Sequence, residues 1–111
     1  MTSFAPLENT AEFASLLKEK ERLKDASISQ LFMEQTGRAN EFAVEGANIE
    51  LDYSRHAIDD RGMRALLKLV EATNGHEFAA ELLNGSPVNF TEKRPALHSL
   101  FRSTFSNINL P

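Results

Sequence analysis

Within the fourteen residues from Asn89 to Arg102, the sequence places Asn89, Thr91, Glu92, Arg94, His98 and Arg102. A carboxylate, an imidazole and two guanidinium groups are side chains that move protons and hold anions. His98 stands four residues from both Arg94 and Arg102. On one helix the three would share a face and could gather a phosphate or a carboxylate. The competing reading is that these long side chains satisfy carboxylates elsewhere in the fold or at an interface. Glu92 and Asp52 are carboxylates in promising surroundings, yet the spacing shows an acid/base partner for neither.

The rest of the chain offers less chemistry. His56 lies near Asp59 and Asp60, but the spacing matches no standard metal-ligand pattern. His76 opens a short helical stretch and is expected to be exposed. The five glycines are scattered singly, with no phosphate-binding loop, and no nucleophile elbow is present. Cysteine is absent, which excludes disulfides, thiolate metal sites and a cysteine nucleophile. Residue types and spacing therefore define no catalytic residue, no metal site and no cofactor.

The elements that must position these residues belong to a chain of 111 residues, the size of one domain. A compact chain of that length buries roughly two-thirds of its unfolded surface, enough for one modest core. Hydrophobic residues at 41% and charged residues at 25% describe a soluble globular composition. The net charge of -4 argues against nucleic acid and anionic membrane as partners, because both require a basic excess. No secretory signal and no apolar run near the ~20 residues of a membrane span are visible, so a cytoplasmic protein is expected.

A first helix is expected over about residues 10 to 24, capped by Asn9 or Thr10, with Phe13, Leu16, Leu17 and Leu23 as its apolar stripe. Ser27 and Gln30 form a second capping signal ahead of Ile28, Leu31 and Phe32, and Gly37 is the expected stop. The period then changes to two. Phe42 and Val44, followed by Ile49, Leu51 and Tyr53, fall on one face of two short strands joined through Gly46, Ala47 and Asn48. Such a hairpin is marginal alone and calls for a helix against its apolar face. Asp59 can cap a third helix with Met63, Leu66, Leu67 and Val70 buried and Ile58 stapling its entry. Thr73-Asn74-Gly75 ends it, and a short helix follows with Phe78, Ala79, Leu82 and Leu83 inward, closed by Asn84-Gly85. Thr91 can cap a last helix with Pro95 near its first turn and Leu97, Leu100, Phe101 and Phe105 as its core face. The expected class is mostly α with one β-hairpin (α+β), a single unit over residues 1–111.

The segment from Asn89 to Arg102 also resembles the glucose-6-phosphate isomerase (phosphoglucose isomerase) family. The family carries an Asn-x-Thr-Glu-x-Arg-x-x-Leu-His-x-x-x-Arg pattern, met here by Asn89, Thr91, Glu92, Arg94, Leu97, His98 and Arg102. Upstream, Asp52-Tyr53-Ser54 with basic Arg55 resembles the family's Asp-Tyr-Ser-Lys, and Leu83-Asn84-Gly85 its Phe-x-Gly. Leu31-Phe32, Arg38 and Phe42 resemble the Leu-Phe, Arg and Phe-Ser of its first hairpin strand. The resemblance runs from about residue 10 to Ser103. It departs at Pro95, Phe101 and Ser103, and the stretch after Ser103 does not follow the family.

The resemblance implies the N-terminal segment of a larger α/β sugar isomerase (SIS-type) fold. Family members are several times longer, and their catalytic glutamate, ring-opening histidine and C-terminal lysine lie downstream of this segment. The parent reaction interconverts glucose 6-phosphate and fructose 6-phosphate without a metal. This chain is then expected to be a structural fragment, inactive alone, with no catalytic residue. Asn89, Thr91, Glu92, Arg94, His98 and Arg102 would support packing around the site. The implied partners are the remaining domains of the isomerase or a second subunit, with sugar phosphate bound only by the complete enzyme. Two other readings stay open: a stand-alone α-rich interaction module, and a small enzyme or anion-binding protein using Arg94, His98 and Arg102.

Overall fold

The computed structural model describes residues 6–89 and 91–98. Its elements are helices α1 (Ala11–Leu23), α2 (Ile28–Glu34) and α3 (Arg38–Glu41), strands β1 (Ala43–Gly46) and β2 (Ile49–Asp52), then helices α4 (Asp60–Ala72) and α5 (Gly75–Leu83). The class is thus mostly helical with one antiparallel hairpin, as expected. By contact the chain divides into a unit from Leu7 to Leu69 and a second from Val70 onward, the border falling inside α4. No helix among the described residues is long and apolar enough to cross a membrane.

In the first unit, local polar signals set the helix starts. The Thr10 hydroxyl accepts from the Phe13 amide at 3.1 Å and caps α1. Ser27 and Gln30 close a reciprocal capping box at the head of α2. The Asp59 carboxylate accepts from the Gly62 amide at 2.9 Å and caps α4. Phe13, Leu16 and Leu23 are half-buried, but Leu17 is 48% exposed and leaves the expected stripe.

Gly37 does not stop α2. That helix ends at Glu34 with the Gln35 amide donating to Leu31 O, and Gly37 instead precedes the short α3. The hairpin pairs Val44 with Leu51 and Gly46 with Ile49, and the Tyr53 amide extends the ladder to Phe42 O at 2.9 Å. The turn is therefore the two residues Ala47 and Asn48, both left-handed, the geometry that follows the strands' twist. Phe42 is buried beneath the hairpin's base, whereas Val44, Ile49 and Leu51 on the same face stay exposed. The covering helix expected over that face is not found among the described residues of this unit.

α4 also departs from expectation. Leu69 and Gly62 are its buried positions and Met63 is half-buried, whereas Leu66, Leu67 and Val70 are exposed. A sequence period identifies the apolar side of a helix but not the element that covers it. At Gly62 a Cβ would lie 2.9 Å from Ile58 Cγ1 and 3.4 Å from Leu23 Cδ1, so glycine lets α1 approach the start of α4.

In the second unit, Asn74 takes a left-handed conformation between α4 and α5. A Cβ at Gly75 would meet Val70 Cγ1 at 2.8 Å, which explains the glycine there. α5 closes with Gly85 left-handed and the Ser86 amide bonded to Glu81 O at 3.0 Å. Phe78 and Leu82 are half-buried, but Ala79 and Leu83 are exposed, against expectation. Val88 is the unit's buried apolar residue among those described.

Candidate functional site

From Asn89 to Arg94 the described residues of the segment richest in chemistry form a turn, not the start of a helix. The Asn89 side-chain oxygen accepts from the Thr91 amide at 3.2 Å, the Thr91 hydroxyl at 2.8 Å and the Glu92 amide at 3.2 Å. The Asn89 amide then donates to Arg94 O at 3.2 Å and closes the loop. Lys93 sits left-handed at φ 53°. The expected helix start at Thr91 is therefore corrected. The Thr91 hydroxyl donates to Asn89 instead of accepting from an amide further along, the left-handed Lys93 breaks helical continuity, and Pro95 biases Arg94 away from the helical region. Helical backbone does not connect Arg94 to His98, so the shared face expected for them is absent. Thr91, Glu92, Arg94 and His98 are all exposed. Arg102, together with Leu100, Phe101 and Phe105 of the expected core face, lies outside the described residues.

What the structure does bring together is a set of residues spread along the sequence from Phe32 to Ile58. Arg38 is fully buried. Its Nε donates to Ser54 O at 2.7 Å, and one terminal nitrogen donates to His56 O at 2.8 Å and Ile58 O at 2.7 Å. The other terminal nitrogen reaches Gln35 Oε1 at 3.4 Å. The guanidinium lies 4.3 Å from the Phe42 ring centroid and 5.7 Å from that of Phe32. Phe42 in turn packs against Tyr53, with ring centroids 5.2 Å apart. A buried cation is tolerated when its donors are satisfied, and here neutral carbonyls and aromatic faces do so in place of a carboxylate. The result is a lock on the loop between β2 and α4. Spacing alone did not reveal this role for Arg38, because all three carbonyls belong to backbone.

The loop is tied at both ends. Asp52 accepts from the Ser54 amide at 2.9 Å. The Ser54 hydroxyl, then its amide, with help from the Arg55 charge, hold the Asp52 carboxyl below its ordinary value. At the far end, Arg22 bonds both Asp59 oxygens at 2.8 Å and also pairs with Glu19 at 2.6 Å. Arg61 reaches Glu19 at 2.7 Å. The Arg22 hydrogen bond, opposed by desolvation and reinforced by Arg61, lowers the pKa of Glu19. Partial burial of Asp59 acts to raise its pKa, but the Gly62 amide and Arg22 outweigh it and the net direction is down.

Beside this cluster, α1 and α4 flank an open cleft of about 400 Å³ lined by Glu12, Ser15, Glu19, Arg61, Arg64 and Lys68 among others. Two carboxylates on α1, Glu12 and Glu19, oppose three cations on α4, Arg61, Arg64 and Lys68, and Arg61 is already paired with Glu19. No three His, Asp or Glu side chains among the described residues gather as a metal site would require. Among the described residues, the ionised side chains of this cluster pair with one another: Arg22 with Glu19 and Asp59, and Arg61 with Glu19.

Comparison with known proteins bears out the family, but the match to its model runs past Ser103, where the sequence was expected to leave it. The family model described as phosphoglucose isomerase matches residues 52–109. A glucose-6-phosphate isomerase from Streptomyces griseus is 32% identical over 97 residues, covering 87% of this chain and 18% of the relative. One from Saccharophagus degradans is 39% identical over 84 residues, covering 76% of this chain and 14% of the relative. One from Corynebacterium jeikeium is 30% identical over 93 residues, covering 84% and 16%. The chain, mostly helical with one hairpin, belongs to the phosphoglucose isomerase family. It spans less than one-fifth of the length of these curated relatives.

Proposed function

We propose that this chain is the N-terminal, non-catalytic part of a glucose-6-phosphate isomerase. The observation that carries the reading is the alignment of 87% of the chain with 18% of a relative of that name, in the relative's N-terminal part. In the complete enzyme the reaction would be the reversible conversion of glucose 6-phosphate to fructose 6-phosphate. The sugar ring opens, and a carboxylate base then moves a proton between C1 and C2 through an enediolate. Such chemistry needs a closed cavity with a base and an anion site converging on substrate, and the described residues offer none. Our reading is that Asn89, Thr91, Glu92, Arg94, His98 and Arg102 stand behind the sugar-phosphate site. There the Asn89-held turn would fix backbone against the remaining domains of an SIS-type fold or a second subunit.

A second reading, a stand-alone interaction module, draws support from the Arg38 lock, whose partners all lie within Phe32 to Ile58 and need no other domain. A coupled assay with fructose 6-phosphate separates the two. The expected outcome is silence from the chain alone, and activity when it is co-expressed with the complementary portion of the Streptomyces griseus enzyme. Activity from the chain alone would overturn the non-catalytic assignment. Silence in both arms would favour the module.

A further inference from the structure

The hairpin presents two different faces, and neither is satisfied within the unit that carries it. On one face Val44, Ile49 and Leu51 are 52%, 68% and 56% exposed. On the other, Glu45 stands directly opposite Glu50, with Asp52 two residues beyond on the same side. Like charges directly opposed across strands destabilise the pair, and among the described residues no cation is paired with Glu45 or Glu50. The base, by contrast, is rigid: Phe42 is buried, Tyr53 packs on it, and Arg38 grips the chain that leaves β2. A marginal two-stranded hairpin is thus held out in a preformed shape with an aliphatic front and an acidic back.

We propose that this hairpin is a docking element for the remaining portion of an isomerase polypeptide, entering a recess with an apolar floor for Val44, Ile49 and Leu51 and Lys or Arg side chains facing Glu45 and Glu50. Two observations choose this occupant over a second copy of the chain. Three aliphatic side chains fall well short of the ~800 Å² per partner that a stable interface buries. Face-to-face pairing of two copies would also leave the opposed glutamates unneutralised on both backs. A partner that encloses both faces covers the front and supplies the missing cations. The inference rests on the reading under Proposed function and adds to it the surface and the chemistry of what receives it.

The test uses a chimera in which this chain replaces the matched 97-residue stretch of the Streptomyces griseus enzyme, measured beside the 111-residue chain. Glu45→Lys turns the opposed pair into an attractive one, so in the chain alone the melting temperature is expected to rise by about 2 °C. In the chimera the new lysine meets the cations of the recess. The melting temperature is expected to fall by about 3 °C, with loss of isomerase activity on mild heating. Leu51→Ser, on the open front, is expected to shift the chain alone by about 1 °C or less, and the chimera by several times more. Opposite signs for Glu45→Lys in the two settings are the signature of docking. If Glu45→Lys raises both melting temperatures, or Leu51→Ser is silent in both, the recess does not exist. A chimera that is inactive with the native hairpin would instead overturn the reading on which the inference stands.

Discussion

Arg38 and Asn89 do the same work in opposite surroundings. Each is a polar side chain that holds a loop by bonding several backbone groups at once. Arg38 donates to three carbonyls from a fully buried position, and Asn89 accepts from two amides and a hydroxyl in the open. Asp59 stands between them, half-buried, accepting from the Gly62 amide while paired with Arg22. The difference is in what happens when the side chain is removed. At Asn89, water replaces the lost partner. At Arg38 the Ser54 carbonyl is buried and those of His56 and Ile58 are part-buried, so the orphaned carbonyls regain less water and carry more of their desolvation cost.

Arg38→Met tests the buried end of that comparison. It removes the donors while keeping an unbranched stem, and is expected to cost about 3 kcal/mol or more, since each buried group left unsatisfied costs about 1–3 kcal/mol. Urea unfolding measures the loss, and amide exchange over residues 53–58 should accelerate with it. Arg38→Lys should recover little, because a single ammonium cannot span three divergent carbonyls. If Arg38→Met is as mild as Asn89→Ala, burial is not what distinguishes the two locks.

Asp59→Ala is expected to cost about 1 kcal/mol, the usual value of a helix cap, with an acid dependence attached. The Asp59 and Glu19 carboxyls both have lowered pKa values in the folded chain. The unfolded chain therefore binds more protons in acid. Their contribution is complete above the ordinary carboxylate values, about 4, and is lost as pH falls through the lower folded values. Melts between pH 6 and pH 3 should show this loss in the native chain and less of it in Asp59→Ala.

Asn89→Ala is expected to cost less, about 0.5–1 kcal/mol for exposed hydrogen bonds. Its readout is local: faster exchange of the Thr91 and Glu92 amides with little change in the global melt. The smallest effect is a gain. Ala47 sits left-handed at φ 51° in the hairpin turn, and Ala47→Gly should raise stability by about 0.5 kcal/mol as relieved strain outweighs added chain entropy.

The sequence by itself determined the local punctuation. Thr10, Ser27 with Gln30, and Asp59 act as caps where the spacing placed them, and Phe42 through Tyr53 alternate as the strands require. Such signals are legible because each is settled within a few residues. The family motif was legible for the same reason, as side-chain types at fixed offsets. Tertiary structure alone decided the rest. Burial of Leu69 rather than Leu66 or Leu67, exposure of Val44, Ile49 and Leu51, and the lock on Ser54, His56 and Ile58 depend on partners distant in sequence or on backbone carbonyls that carry no residue identity. The turn at Asn89 shows both sides of the division. Its hydrogen-bonding residues were visible in the sequence, but whether the Thr91 hydroxyl would accept from an amide ahead of it as a cap or donate back to Asn89 was decided by the fold, which has it donating to Asn89.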